Sequence, residues 1–166
     1  MPSKLYNSAM TFLRSMEGFV PDEMISRRAP DCIQKMAPAS LGISDVDWTN
    51  QFVRDFYASI EHIHTSMTFD VHDSIEDEKN HKIWLWLSSV AYFADPEIPT
   101  GGGEYVFMLT FDEKDEKVKR FVQFLDLDRA RGETQRINLT KQRQAKQKGT
   151  KPEYIVNPDW GHLLRK

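Results

Sequence analysis

Residues 80–94 read NHKIWLWLSSVAYFA, and the alternation within them decides the fold. At a period of two, Trp84, Trp86, Ser88, Val90 and Tyr92 share one face, while Ile83, Leu85, Leu87, Ser89 and Ala91 share the other. Both faces of this strand are largely apolar, so both need cover. Further β-rich runs lie at 66–77, 103–112 and 117–127, separated by the acidic turn at Glu76, Asp77 and Glu78 and by polar stretches at 96–103 and 112–116. Consecutive strands with short connections predict an antiparallel meander. Gly101, Gly102 and Gly103 fall between two of these runs and read as a flexible hairpin connection, not as a phosphate cradle.

Upstream of residue 66 the period changes. Leu5, Ala9, Phe12, Leu13 and Met16 recur at helical spacing over 4–18, ended by Gly18. Pro21, Asp22 and Glu23 open a second helix to about Arg28, where Pro30 forces Ala29 out of helical geometry, so Arg27 and Arg28 sit at a helix C-terminus. Ser44 or Asp45 caps a third helix carrying Val46, Phe52, Val53, Phe56 and Ile60, the longest of the globular part. Helices followed by a meander predict an α+β domain in which a curved antiparallel sheet wraps around three N-terminal helices. A sheet coated on one side by its own helices buries the other most economically against a second copy, so a homodimer is expected.

The chain has 166 residues, of which 40% are hydrophobic and 11% aromatic, enough for one domain with a real core. Its net charge of −3 hides an asymmetry: residues 129–166 hold ten Lys/Arg against three Asp/Glu, while the rest is acidic. The division expected is a barrel over 1–128 and a basic, partly helical extension over 129–166, anchored by Ile137 and Leu139. Tyr154, Ile155, Val156, Trp160 and Leu163 suggest a strap folding back across the barrel mouth or a partner subunit. The basic charges alternate with Gln and Asn without interleaved aromatics, which reads as a solvated helix and not a nucleic-acid surface. A single cysteine, Cys32, excludes an intramolecular disulfide and reads as a small buried hydrophobe. No apolar run has the length of a signal sequence or membrane span, so a soluble, cytoplasmic protein is expected.

No phosphate loop, dinucleotide fingerprint, nucleophile elbow or cysteine cluster occurs, and no cofactor is implied. His62 and His64 point in different directions near the third helix, and His72, His81 and His162 are dispersed, so no metal site is expected; His64 is a candidate pocket acid or base.

The segment RRAPDCIQKMAPASL (27–41), Asn50, and GEYVFMLTFDEKDEKVKRFVQFLDL (103–127) together resemble the small SnoaL-like proteins of fungal biosynthetic clusters, within the nuclear transport factor 2-like superfamily. The resemblance spans about residues 5–128. It implies a cone-shaped α+β barrel, usually dimeric, with a pocket for a small hydrophobic intermediate. It implies cofactor-independent isomerisation or cyclisation of polyketide, meroterpenoid or alkaloid intermediates by acid–base chemistry, with dehydration or a non-catalytic binding or interaction role as alternatives. Arg28 and Asp126 match pocket-facing positions, and Glu61 matches one more loosely. The chain departs from the common pattern at Gln34 and Gln123, where glutamine can hold and orient but not transfer protons.

Such chemistry needs a base, a donor for the developing oxyanion and a dry wall. Arg28 offers a permanent charge, Asp126 a base if burial raises its pKa, and Tyr105 a hydrogen bond, with Trp48, Trp84 and Trp86 as an aromatic wall. Each also has a plainer role: Arg28 and Asp126 as helix-end residues, Glu61 as a surface residue, and Tyr105 and the tryptophans as core or interface β-formers.

Overall fold

The computed structural model describes residues 2–42 and 44–152, with Leu127 defined by its backbone alone. Helix α1 (Lys4–Met16) begins where the Ser3 side chain accepts from the Tyr6 amide, and it buries the whole predicted stripe of Leu5, Ala9, Phe12, Leu13 and Met16. Helix α2 (Pro21–Ser26) starts at Pro21 with two acidic residues in its first turn, but ends earlier than the sequence predicts. Arg27 caps it, and Arg28 already opens strand β1 (Arg28–Ala37). Arg28 is therefore not a helix-end residue.

No strand is predicted before residue 66, so β1 corrects the sequence reading. Its buried positions include Arg28 and Gln34, polar residues that interrupt the apolar alternation by which a strand is recognised. Pro30 is tolerated because β1 lies at the sheet edge, and a register shift between Arg28 and Ile33 takes up the missing donor.

Helix α3 (Asn50–Ala58) is also shorter than expected: its 9 residues are fewer than the 13 of α1. Thr49 caps it, not Ser44 or Asp45, accepting from the Phe52 amide at 3.2 Å. The preceding chain is held elsewhere, since Trp48 exchanges backbone hydrogen bonds of 2.9 and 3.1 Å with Gln34 of β1. Val46 lies outside the helix and is exposed, whereas Val53 and Ile60 are buried.

Strands β2 (His64–Asp77), β3 (Lys82–Phe93), β4 (Gly101–Phe111) and β5 (Val118–Leu125) form the predicted antiparallel meander. β1 pairs in parallel with β5, giving the order β1-β5-β4-β3-β2, so the sheet is mixed and not purely antiparallel. Ile83, Leu85 and Leu87 are fully buried and join Phe107, Leu109, Phe111, Val118 and Phe121 against α1. Each such side chain contributes about 1.5–3 kcal/mol. On the opposite face of β3 Trp84 is 50% and Trp86 48% exposed, so among the described residues intramolecular cover reaches one face only.

Helix α4 (Leu127–Lys148) is capped by Asp126, whose carboxylate accepts from the Arg129 amide at 2.9 Å. It runs from the α3 cluster toward β4, burying Ala130 beside Leu41, Trp48 and Val53, and Ile137 beside Ile60, Ile63, Phe93 and Ile98. Arg143 bonds Asp95 at 2.6 Å and also Glu97, and Gln144 donates to the His62 carbonyl at 3.2 Å. A boundary at 128 therefore falls inside a helix that forms part of the barrel wall. Leu139 is exposed and anchors nothing, in contrast to Ile137. The strap expected around 154–163, with His162, lies outside the described residues. No described helix is long and apolar enough to cross a membrane.

Candidate active site

The concave sheet, the residues after α1 and α3, and helix α4 enclose a cavity of about 170 Å³. Its wall is mainly apolar, with Phe19, Met67, Phe69, Ala91, Phe107 and Ile137, and its polar groups come from Tyr57, His64, Ser89, Tyr105, Gln123, Arg129, Glu133 and Thr134. A few convergent polar groups in an apolar chamber are the usual anatomy of a small-molecule site.

His64 opens β2 and is 5% exposed. Phe19 stacks on its ring at 4.3 Å with the planes 9° apart, and Phe93 packs at 4.6 Å. Phe19 holds a left-handed backbone with φ 52°, a conformation that costs a non-glycine residue about 1–2 kcal/mol. The His64 Nε2 lies 2.8 Å from Glu133 Oε1, while its Nδ1 is buried without a hydrogen-bond partner among the described residues. Glu133 Oε2 accepts from the Gly102 amide at 3.3 Å, so both carboxylate oxygens are held. A Cβ at Gly101 would overlap that carboxylate, and Gly102, at φ 106°, lies against the Ser89 carbonyl. Gly101, Gly102 and Gly103 thus start β4 and are not a flexible connection: Gly101 leaves the notch that Glu133 occupies, and Gly103 lies against Arg129.

Tyr105 lies beside this pair, its hydroxyl 3.5 Å from Ser89 Oγ, and burial raises its phenol above the ordinary value. Desolvation by the surrounding protein pushes the Tyr57 phenol up to about 12 and the buried Cys32 thiol up to about 11. All three stay protonated at neutral pH, which makes the tyrosines donors, not bases.

The unfolded chain releases these protons near the ordinary values of 9.0 for Cys and 10.0 for Tyr, whereas the folded chain keeps them. Stability from this source is complete below about pH 9 and is lost as pH rises through about 11 and 12. Denaturant midpoints measured across that window should fall, and Tyr57→Phe combined with Cys32→Ala should flatten the slope.

Arg28 lies behind the cavity wall, 5% exposed. It donates from Nε to Asn50 Oδ1 at 2.7 Å, from Nη1 to Gln34 Oε1 at 2.7 Å and from Nη2 to the Trp48 carbonyl at 3.0 Å. Gln34 in turn donates to Gln123 Oε1 at 3.2 Å. None of these partners is a carboxylate, and burial lowers the guanidinium pKa from its usual value.

The structure brings His64, Tyr105 and Gln123 together and places Arg28 one hydrogen-bonded step behind Gln34 and two behind Gln123. It does not bring in Asp126, an exposed helix cap on the outer side, nor Glu61, exposed after α3. Trp84 and Trp86 line the convex face, outside the cavity, and Trp48 is buried under Arg28, touching Phe52 and Phe56. The sequence reading missed Glu133, Tyr57 and Ser89. The spacing of Ala130, Thr134 and Ile137 marks the buried stripe of α4, and Glu133 borders it; that signal was obscured by the charge around it. Among the described residues no group of three or more His, Cys, Asp or Glu converges as metal ligands would.

No family model and no curated protein matches the chain. Solved structures do. The BvnE pinacolase from Penicillium brevicompactum is 28% identical with a TM-score of 0.71, covering 80% of this chain and 93% of that one. PrhC from Penicillium brasilianum is 20% identical with a TM-score of 0.70, covering 87% and 90%. A putative SnoaL-like polyketide cyclase from Shewanella putrefaciens is 13% identical with a TM-score of 0.62, covering 78% and 95%. The fold is the SnoaL-like, nuclear transport factor 2-like α+β barrel that the sequence resemblance implies.

Proposed function

We propose that this chain, built on the SnoaL-like barrel, is a cofactor-independent isomerase or cyclase acting on an oxygenated, largely apolar biosynthetic intermediate. The observation that carries the reading is the Glu133 carboxylate, held by His64 at 2.8 Å and by the Gly102 amide at 3.3 Å, in an apolar cavity shared with Tyr105. Glu133 takes a proton from a carbon next to a carbonyl and returns it elsewhere on the same molecule. Tyr105 and the amide of Gln123 donate to the oxygen on which negative charge develops. His64 is a positioning residue: its Nε2–H orients the carboxylate, and its other nitrogen is shut away from the chamber.

A second reading keeps the pocket and changes the outcome. The 28% likeness to a protein named a pinacolase favours acid-promoted loss of a hydroxyl with a 1,2-shift. Desalted protein incubated with polyketide, meroterpenoid or alkaloid intermediates separates the two by mass spectrometry. An isobaric product supports isomerisation, a product lighter by one water supports the second reading, and no conversion of any such intermediate overturns both.

The open convex face belongs to the same proposal. Trp84, Trp86, Val90, Tyr92 and Phe124 are all exposed there, an apolar surface of the kind a second copy of the sheet covers. Sedimentation should show a dimer that Trp86→Lys splits, since a central interface tryptophan is commonly worth about 2 kcal/mol or more. A wild-type monomer at high concentration would reject this assignment.

A further inference from the structure

We infer that Arg28 is a positioning residue that, through Gln34, fixes Gln123 with its Nε2 hydrogens aimed into the cavity, so that the site selects ligands carrying a hydrogen-bond-accepting oxygen. The inference rests on the cavity being the substrate chamber and adds what part of the substrate this wall reads.

A guanidinium has five N–H groups and no acceptor, so the Gln34 atom that meets Arg28 Nη1 at 2.7 Å is its carbonyl oxygen. The Gln34 amide nitrogen must then face Gln123, whose carbonyl oxygen receives it at 3.2 Å. Gln123 has thereby committed its acceptor end. Its Nε2 hydrogens have no partner among the described residues, and the side chain lines the main cavity as well as a small void of about 10 Å³ beside Arg28. The start of the relay cannot rotate: Asn50 Oδ1 takes Arg28 Nε at 2.7 Å while Asn50 Nδ2 donates to the Ala29 carbonyl at 2.8 Å, and the Trp48 carbonyl takes Nη2 at 3.0 Å.

Electrostatics point the same way. No carboxylate neutralises Arg28 among its hydrogen-bond partners, so its charge polarises both amides with their positive ends toward the chamber. Two glutamines that cannot transfer a proton thus carry a cation's influence to a ketone or enolate oxygen.

The test is Gln34→Glu. The new carboxylate still accepts from Arg28, which preserves the packing, but it has no N–H to offer Gln123. Gln123 should then rotate, donate to the carboxylate and turn its carbonyl oxygen to the cavity. In wild-type protein, nuclear Overhauser contacts should link the Gln123 Nε2 protons to ring protons of Phe107 and Tyr105, and these should vanish in Gln34→Glu. The affinity ratio of acetophenone to ethylbenzene, two probes of similar shape, should fall about fivefold in the variant, the usual worth of one net hydrogen bond. Wild-type contacts from those protons to Gln34 instead, or contacts and ratio unchanged in the variant, overturn the inference. Glu133→Gln should leave the Gln123 nuclear Overhauser contacts in place while removing the proposed base, so loss of the proposed chemistry and loss of this relay are separately visible.

Discussion

Glu133→Gln should leave the protein folded and lower its turnover by about two to four orders of magnitude, the usual worth of a positioned general base. The substitution keeps the side chain's length and shape, and an amide oxygen still accepts from the His64 Nε2 or the Gly102 amide. What is lost is the ability to take a proton. Glu133 is only partly buried, with 26% side-chain exposure, so the exchange strands no charge, and stability should fall only by the one donor that loses its acceptor, about 1–3 kcal/mol. His64→Gln should cost less than Glu133→Gln because it removes an orienting donor and leaves the carboxylate in place. Near-normal turnover of Glu133→Gln, measured on whichever intermediate the wild type converts, would take the chemistry away from this residue.

The architecture was legible where apolar periodicity is undiluted. α1 and the four strands of the meander follow from it, because each presents a clean inward stripe: Leu5, Phe12 and Met16 on the helix, Ile83, Leu85 and Leu87 on β3. The site was less legible for the same reason. A strand that faces a polar relay cannot alternate in hydrophobicity, so β1, with Arg28 and Gln34 pointing inward, does not look like a strand. α4 has the opposite problem: a charged helix over the chamber needs only a narrow stripe, here Ala130, Thr134 and Ile137, and its basic composition suggests a solvated extension. The place of Asp126 at the end of the last strand suggests a base. It is the cap that starts α4, and the carboxylate that reaches the chamber, Glu133, sits seven positions further on, two helical turns along.

The glycines give the sharpest separation between folding and function. Gly102→Ala should destabilise the protein by several kcal/mol, because two penalties add: φ 106° is closed to L side chains, and the new Cβ would overlap the Ser89 carbonyl, a backbone atom locked in the β3–β4 ladder. Gly149→Ala has a positive φ too, 66°, but none of the described residues comes within 4 Å, so it should cost only about 1–2 kcal/mol. Gly101→Ala is the informative case. Its backbone is unstrained, and the overlap is with the end of the Glu133 side chain, which can swing away. Thermal denaturation should therefore rank Gly102→Ala well below both others. A turnover assay should find Gly101→Ala crippled while still folded, because the carboxylate it displaces is the one His64 and the Gly102 amide hold in place. If Gly101→Ala kept full activity, the notch in β4 would be a packing feature and Glu133 would not need its observed position to work.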